Sequence, residues 1–259
     1  MAITFAKPPI NEVVLGQIFS TRSDLLVPHF GRFWEELADA YPKVSHAPPI
    51  VDDQQSEPPI DPSTGAYLPR VWFRSADETR LVQLQQDRLH FNWRQTNTGP
   101  AEYPRFPAIK AEFDRVAGLF SRYVEKALGQ PLSNSRLELS YINIIPLKEA
   151  KIAGVGEFDN VLKCFKWGVG TTALPAPKRF SSNYFFEIDP GTSLTVRINT
   201  AKRISDDSDV LKMELVAREI PNVKPRDQWI EDAHQLIVKS FKELTTEKMH
   251  QEQWHLVSE

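Results

Sequence analysis

This 259-residue sequence is poor in sulfur, with one cysteine and three methionines, and lacks a large surplus of either charge. Cys164 stands alone, so an internal disulfide and every multi-cysteine metal site are excluded, and a reducing cytoplasm is the expected setting. Lysine and arginine number 31 against 34 acidic residues, for a net charge of -3. Neither half is a basic arm, which disfavours nucleic-acid binding driven by phosphate neutralisation. No apolar run approaches the roughly 18 residues of a membrane helix. The start, Met1 to Pro9, has no charged region followed by an apolar one, and cytoplasmic localisation is the expectation.

Catalytic and cofactor motifs are also missing. The six histidines form no HExxH; His250 and His255 read as part of a solvated tail, and no metal is expected. Asp206, Asp207 and Asp209 lack the glycine and closing glutamate of a calcium loop and read as a hairpin turn. The Gly-Val-Gly runs at 154–156 and 168–170 do not continue into a phosphate loop, and no cofactor is implied. Cys164 lies between Lys163 and Lys166, which would lower its pKa, but Leu162, Phe165 and Trp167 suggest a buried thiol.

What is present is periodicity. Residues 12–20 read as a strand after Pro8 and Pro9, and Phe30, Phe33, Trp34, Leu37 and Tyr41 mark a short helix between Pro28 and Pro42. Residues 42–70 hold seven of the twenty prolines, with Pro-Pro-Ile at 48 and again at 58, and read as a long loop. From residue 71 the period becomes two: 71–75, 80–86 and 89–95 form an antiparallel meander. After a loop at Gly99-Pro100 comes a long helix with Ile109, Phe113, Val116, Phe120 and Val124 on one stripe, ending at Gly129.

The second half repeats that order. A strand over 137–147, a short helix over 158–165, strands over 182–189, 193–203 and 211–219, and a helix over 227–250 carrying Ile230, Ala233, Ile237, Phe241 and Leu244 follow one another. The expected fold class is α+β. It comprises two strand-helix-three-strand-helix units, 1–130 with the Pro-rich loop 42–70 and 131–259 with a mobile Gly/Pro loop 148–181. These would form one curved antiparallel sheet with the long helices on one face, by analogy with TATA-binding-protein-like or helix-grip architectures. Two separate α+β domains are the alternative.

The blocks PPINEVVLGQIF, RLVQLQQDRLHFNWRQ, Tyr103-Pro104 and YINIIP at 141–146 together resemble a sporadically distributed, uncharacterised bacterial protein family of about this length. The chain departs from that pattern at Ile144, where the family has an arginine. The resemblance implies an α+β cytoplasmic protein and carries over no catalytic residue.

The candidate site follows from strand alternation. His90, Asn92 and Arg94 share one face of their strand; Gln83 and Gln85 on the preceding strand, and Arg197 and Asn199 in the second meander, would join them on an uncovered sheet face. Such a set suits a carboxylate, a phosphate or a peptide backbone, although alternation alone also places polar residues on a solvated face. Asn143 sits in an apolar strand and should anchor a loop or face a ligand. Trp229, Leu236 and Trp254 lie off the main stripe of the last helix and either widen its buried face or serve a partner chain. The leading expectation is a non-enzymatic binding or protein-interaction module engaging another protein or a small polar ligand. A hydrolase or transferase with a dispersed active site, with His90, Asn92 and Arg94 as its first suspects, is the rival. Nucleic-acid binding ranks below both.

Overall fold

Eleven strands and four α-helices follow one another along the described residues, which are 3–51, 60–61, 64–96, 102–133, 135–166, 174–175, 177–203, 205–221 and 223–258 of a computed structural model. In chain order they are β1 (Thr4–Phe5), β2 (Ile10–Ile18), α1 (Val27–Glu35), β3 (Lys43–Ala47), β4 (Arg70–Arg74), β5 (Arg80–Gln85), β6 (Arg88–Arg94) and α2 (Phe106–Leu128). Then come β7 (Arg136–Pro146), a short 3-10 helix (Val155–Asn160), β8 (Ser181–Asp189), β9 (Thr192–Lys202), β10 (Asp209–Glu219), α3 (Arg226–Leu244), α4 (Glu247–Glu252) and β11 (Leu256–Ser258). The fold is α+β with antiparallel sheet, as the periodicity implies. The chain divides into two compact units, Glu12–Glu138 and Met1–Asn11 with Leu139–Glu259.

In the first unit the strands lie in the order β3-β4-β5-β6-β2, with antiparallel pairing throughout. α2 starts at Phe106-Pro107, where a missing proline N–H costs nothing, and stops at Gly129, whose φ of 73° is open to glycine. Its stripe of Ile109, Phe113, Val116 and Phe120 is fully buried. Phe33 of α1 stacks edge-on against Phe120 at 5.0 Å and Phe73 of β4 at 6.5 Å, so both helices cover the sheet face that carries Phe73. The other face carries Arg70, Trp72 and Arg74.

In the second unit the order is β7-β10-β9-β8, with β1 and β11 pairing apart. β7 lies beside β10, its Leu147 N–H donating to Asp209 O while Asn143 Nδ2–H donates to Met213 O, contacts that run in opposite senses along the two strands. Tyr141 on β7 bonds His234 Nδ1 of α3 at 2.9 Å, which fixes the helix-backed face.

Several expectations need correction. The Pro-rich stretch 42–70 is not all loop, because Lys43–Ala47 pairs with β4. The last long helix ends at Leu244, where Thr245 turns extended, and a separate α4 carries His250. That histidine is buried, not part of a solvated tail; its Nε2 bonds Thr245 Oγ1 and its Nδ1 bonds Glu247. Cys164 is exposed rather than buried, and partial desolvation still pushes its thiol up. Trp229 and Trp254 are buried, the latter against Phe5 and Phe241, so both widen the core. Asp206 does cap a turn, accepting from Ser208 N–H and Oγ–H. The second Pro-Pro pair at 58–59, Gly99-Pro100, Trp167 and the Gly-Val-Gly run at 168–170 lie outside the described residues. Among the described residues no helix is long and apolar enough to cross a membrane.

Candidate binding face of the first unit

Cross-strand register decides which side chains meet on the face away from the helices. Lys43 faces Arg74, Ser45 faces Trp72, Gln83 faces both Trp72 and His90, Leu81 faces Asn92, and Glu12 faces Arg94. Residues directly opposite share a face. A single polar surface therefore runs across five strands.

Its centre is a relay of four hydrogen bonding groups. Arg70 Nη1–H donates to Gln83 Oε1 at 2.8 Å, Gln83 Nε2–H to Asn92 Oδ1 at 2.8 Å, and Asn92 Nδ2–H to Glu12 Oε1 at 2.6 Å. Each amide accepts from the cation's side and donates toward the carboxylate, so the dipoles align and reinforce one another. Sequence alternation predicts Asn92 open to solvent; the structure seals it at 2% exposure, with Gln83 at 6% and His90 at 4%. Part of the seal is remote in sequence. Gln85 grips the backbone of Ile50 through both N–H and C=O, so the segment after β3 is pinned over the end of β5. Gln85 also donates to Asp87, whose carboxylate forms a two-pronged pair with Arg88 at 3.0 and 2.7 Å, both side chains being nearly or fully buried.

His90 lies over Gly16, its cross-strand partner; a Cβ at position 16 would sit 2.3 Å from the imidazole Cδ2. Glycine is required there by close approach, not by backbone conformation. Burial pushes the His90 pKa down to about 3, helped by the nearby Arg88 and Arg70 cations, so the ring is neutral. Burial likewise lowers the Arg70 guanidinium, with Arg88 adding repulsion.

Toward β4 the face becomes cationic. Glu78, held at a φ of 62° in the β4–β5 turn, receives Lys43 at 3.0 Å, Arg74 at 3.1 Å and Arg94 at 3.9 Å. These cations hold its carboxyl below the usual range, the Lys43 hydrogen bond contributing most. Trp72 stands between Arg70 and Arg94, whose guanidinium carbons are 5.4 and 5.8 Å from its ring centroid. Arg70 Nε, Trp72 Nε1, Arg74 Nε and His90 Nε2 are buried and have no hydrogen-bond partner among the described residues.

Of the residues singled out by sequence, His90, Asn92 and Arg94 thus come together with Gln83 and Gln85. Arg94 is partly exposed, while Asn92 and His90 are not. Arg197 and Asn143 belong to the second unit and lie on opposite faces of its sheet. Arg197 faces Glu214 across β9–β10, with an oxygen 3.9 Å away, whereas Asn143 shares the helix-backed face with Tyr141 and binds the Met213 carbonyl. Asn143 thereby ties one strand to the next. Sequence reading missed Lys43, Arg70, Trp72, Arg74 and Glu78. The alternation Arg70-Val-Trp-Phe-Arg74 carries the signal, but the expected strand 71–75 starts one residue after the observed one. No group of three or more potential metal-ligating side chains occurs among the described residues. Comparison of the chain with family models, with curated proteins and with solved structures gives no match.

Proposed function

We propose that the protein is a non-enzymatic binding module of the cytoplasm, and that the outer face of its first sheet takes a small anionic ligand, a phosphate or carboxylate, free or displayed on a protein. One observation carries this reading. Arg70, Trp72 and Arg74, at alternate positions along about 14 Å of one strand, each present a buried N–H with no acceptor. Unpaired buried donors cost about 1 to 3 kcal/mol each, a penalty that an acceptor-rich ligand would remove. Charge points the same way: Lys43, Arg74 and Arg94 all converge on the single carboxylate of Glu78, leaving positive charge in excess. Glu78 then acts as an internal stand-in for the ligand.

Residues 83–94, the most specific block of the resemblance, hold two of the four relay groups, Gln83 and Asn92, which bond to Arg70 and Glu12 from outside the block. We also read the two units as copies of one motif, similar to a helix-grip arrangement. In each, the first strand lies beside the last strand of the meander, β2 beside β6 and β7 beside β10.

Titration with inorganic phosphate and with succinate, read by calorimetry and by thermal shift, tests the proposal. Arg74→Ala should abolish binding, and Glu78→Gln should tighten it by about tenfold, because removing the internal carboxylate unmasks the cations. Arg226→Ala, in the other unit, should leave it unchanged. Absence of any heat or shift with wild type, or binding indifferent to both Arg74→Ala and Glu78→Gln, would defeat the reading.

A further inference from the structure

The second unit ends in an edge that natural sheets rarely leave bare. β8 closes the strand order, and no strand among the described residues pairs with its outer side. Edge strands are commonly protected by being short or by carrying lysine, proline or a bulge in mid-strand. β8 has nine residues, no lysine and no proline, and its register irregularity lies only at its last residues, between Glu187 and Asp189. Phe185 is 64% exposed on one face, and Phe186 and Ile188 are 40% and 43% exposed on the other.

The backbone geometry shows which groups are available. Thr200 N–H donates to Phe180 O, and from there the register steps through 182↔198, 184↔196 and 186↔194. In an antiparallel ladder alternate pairs exchange hydrogen bonds, so residues 182, 184 and 186 aim their backbone groups at β9. Residues 181, 183, 185 and 187 aim theirs outward.

Charge identifies what fits. Lys178 and Arg179 precede the strand and are exposed; Glu187 is exposed near its end, and Asp189 closes it paired with Lys224 at 2.9 Å. The strand is therefore basic at its start and acidic at its end. An antiparallel copy of itself sets basic end against acidic end, while a parallel copy opposes like charges. We propose that β8 pairs antiparallel with β8 of a second copy of this chain, across a two-fold axis at Phe185. That register pairs all nine residues, sets Phe185 against its own mate, Tyr184 against Phe186, and Glu187 against Asn183, and opposes no two acids. The interface is isologous and closes at two copies.

Sedimentation of the full chain over about two decades of concentration tests this. Wild type should move from monomer to dimer. Phe185→Pro removes an outward N–H without touching a β8–β9 bond, and should sediment as a monomer with an unchanged circular dichroism spectrum. Should that variant misfold, charge reversal gives an independent reading. Lys178→Glu with Arg179→Glu in one chain, and Glu187→Lys in another, should each weaken self-association by about tenfold or more, and mixing the two should restore dimers. A wild type that stays monomeric throughout would overturn the proposal, as would charge variants that dimerise like wild type.

Discussion

The two units carry outward sheet faces that look alike in sequence and differ in the structure. In the first, Gln83, His90 and Asn92 are sealed, bonded along the relay or packed over Gly16. In the second, Arg197 and Asn199 stay half-exposed, and β8 carries exposed residues on both faces, Phe185 and Glu187 on one and Phe186 and Ile188 on the other. The difference teaches that a polar alternate position is a place where water is tolerated, not where water must be. Gln83 and Asn92 are buried where neighbours donate to them and accept from them along the relay, while Arg70 Nε, Trp72 Nε1, Arg74 Nε and His90 Nε2 on the same face are buried without a partner among the described residues.

The sharpest way to break this contrast is through its ion pairs. Asp87→Ala leaves the Arg88 guanidinium buried without its carboxylate and should cost about 3 to 5 kcal/mol. Glu214→Ala removes the half-exposed partner of Arg197 and should cost less than about 1 kcal/mol. Urea denaturation of both variants measures the gap, and equal losses would erase the distinction between the two faces.

Acid should act next. His90 and His234 are held neutral by burial, at about 3 and about 4, against an ordinary value of 6.5. Below pH 6.5 the unfolded chain takes up protons that the folded chain refuses, so stability present above that pH is lost progressively toward pH 3. A melting-temperature series from pH 7 to pH 4 should show this fall, and His234→Gln should make it shallower. A flat profile would mean that neither ring is desolvated as described.

Smaller effects sharpen the comparison at single residues. Gly16→Ala forces its Cβ into the His90 ring and should cost about 1 to 3 kcal/mol. Asn92→Ala takes one buried hydrogen bond from each of Gln83 and Glu12 and should cost a similar amount, whereas Asn199→Ala should stay within about 0.5 kcal/mol. Thermal melts of the matched pair of asparagine variants decide whether the relay holds the first face together.

Much of the fold was legible. The stripe Ile109, Phe113, Val116, Phe120 gave α2, and Gly129 gave its end, because helix periodicity and a left-handed cap are local properties. β3 was not legible: five residues between prolines carry too little period to outweigh a loop composition. Nor was the end of α3, where Thr245 accepts an extended conformation fixed by its bonds to Phe241 O and His250. At the candidate face, Asn92 and Arg94 could be named from alternation. Their partners could not, because Glu12 lies 80 residues away from Asn92 along the chain.

The amino-acid sequence by itself determined where most strands and helices fall, β3 and the end of α3 excepted, which side of those is apolar, and that no internal disulfide holds them, since these follow from residue type and spacing. Only the tertiary structure decided which polar side is closed and which is open. That choice depends on what distant segments bring: Ile50 over Gln85, Glu12 to Asn92, Gly16 beneath His90. A hydrogen bond or a steric gap between remote residues leaves no period in the chain, and it exists only once the strands are in register.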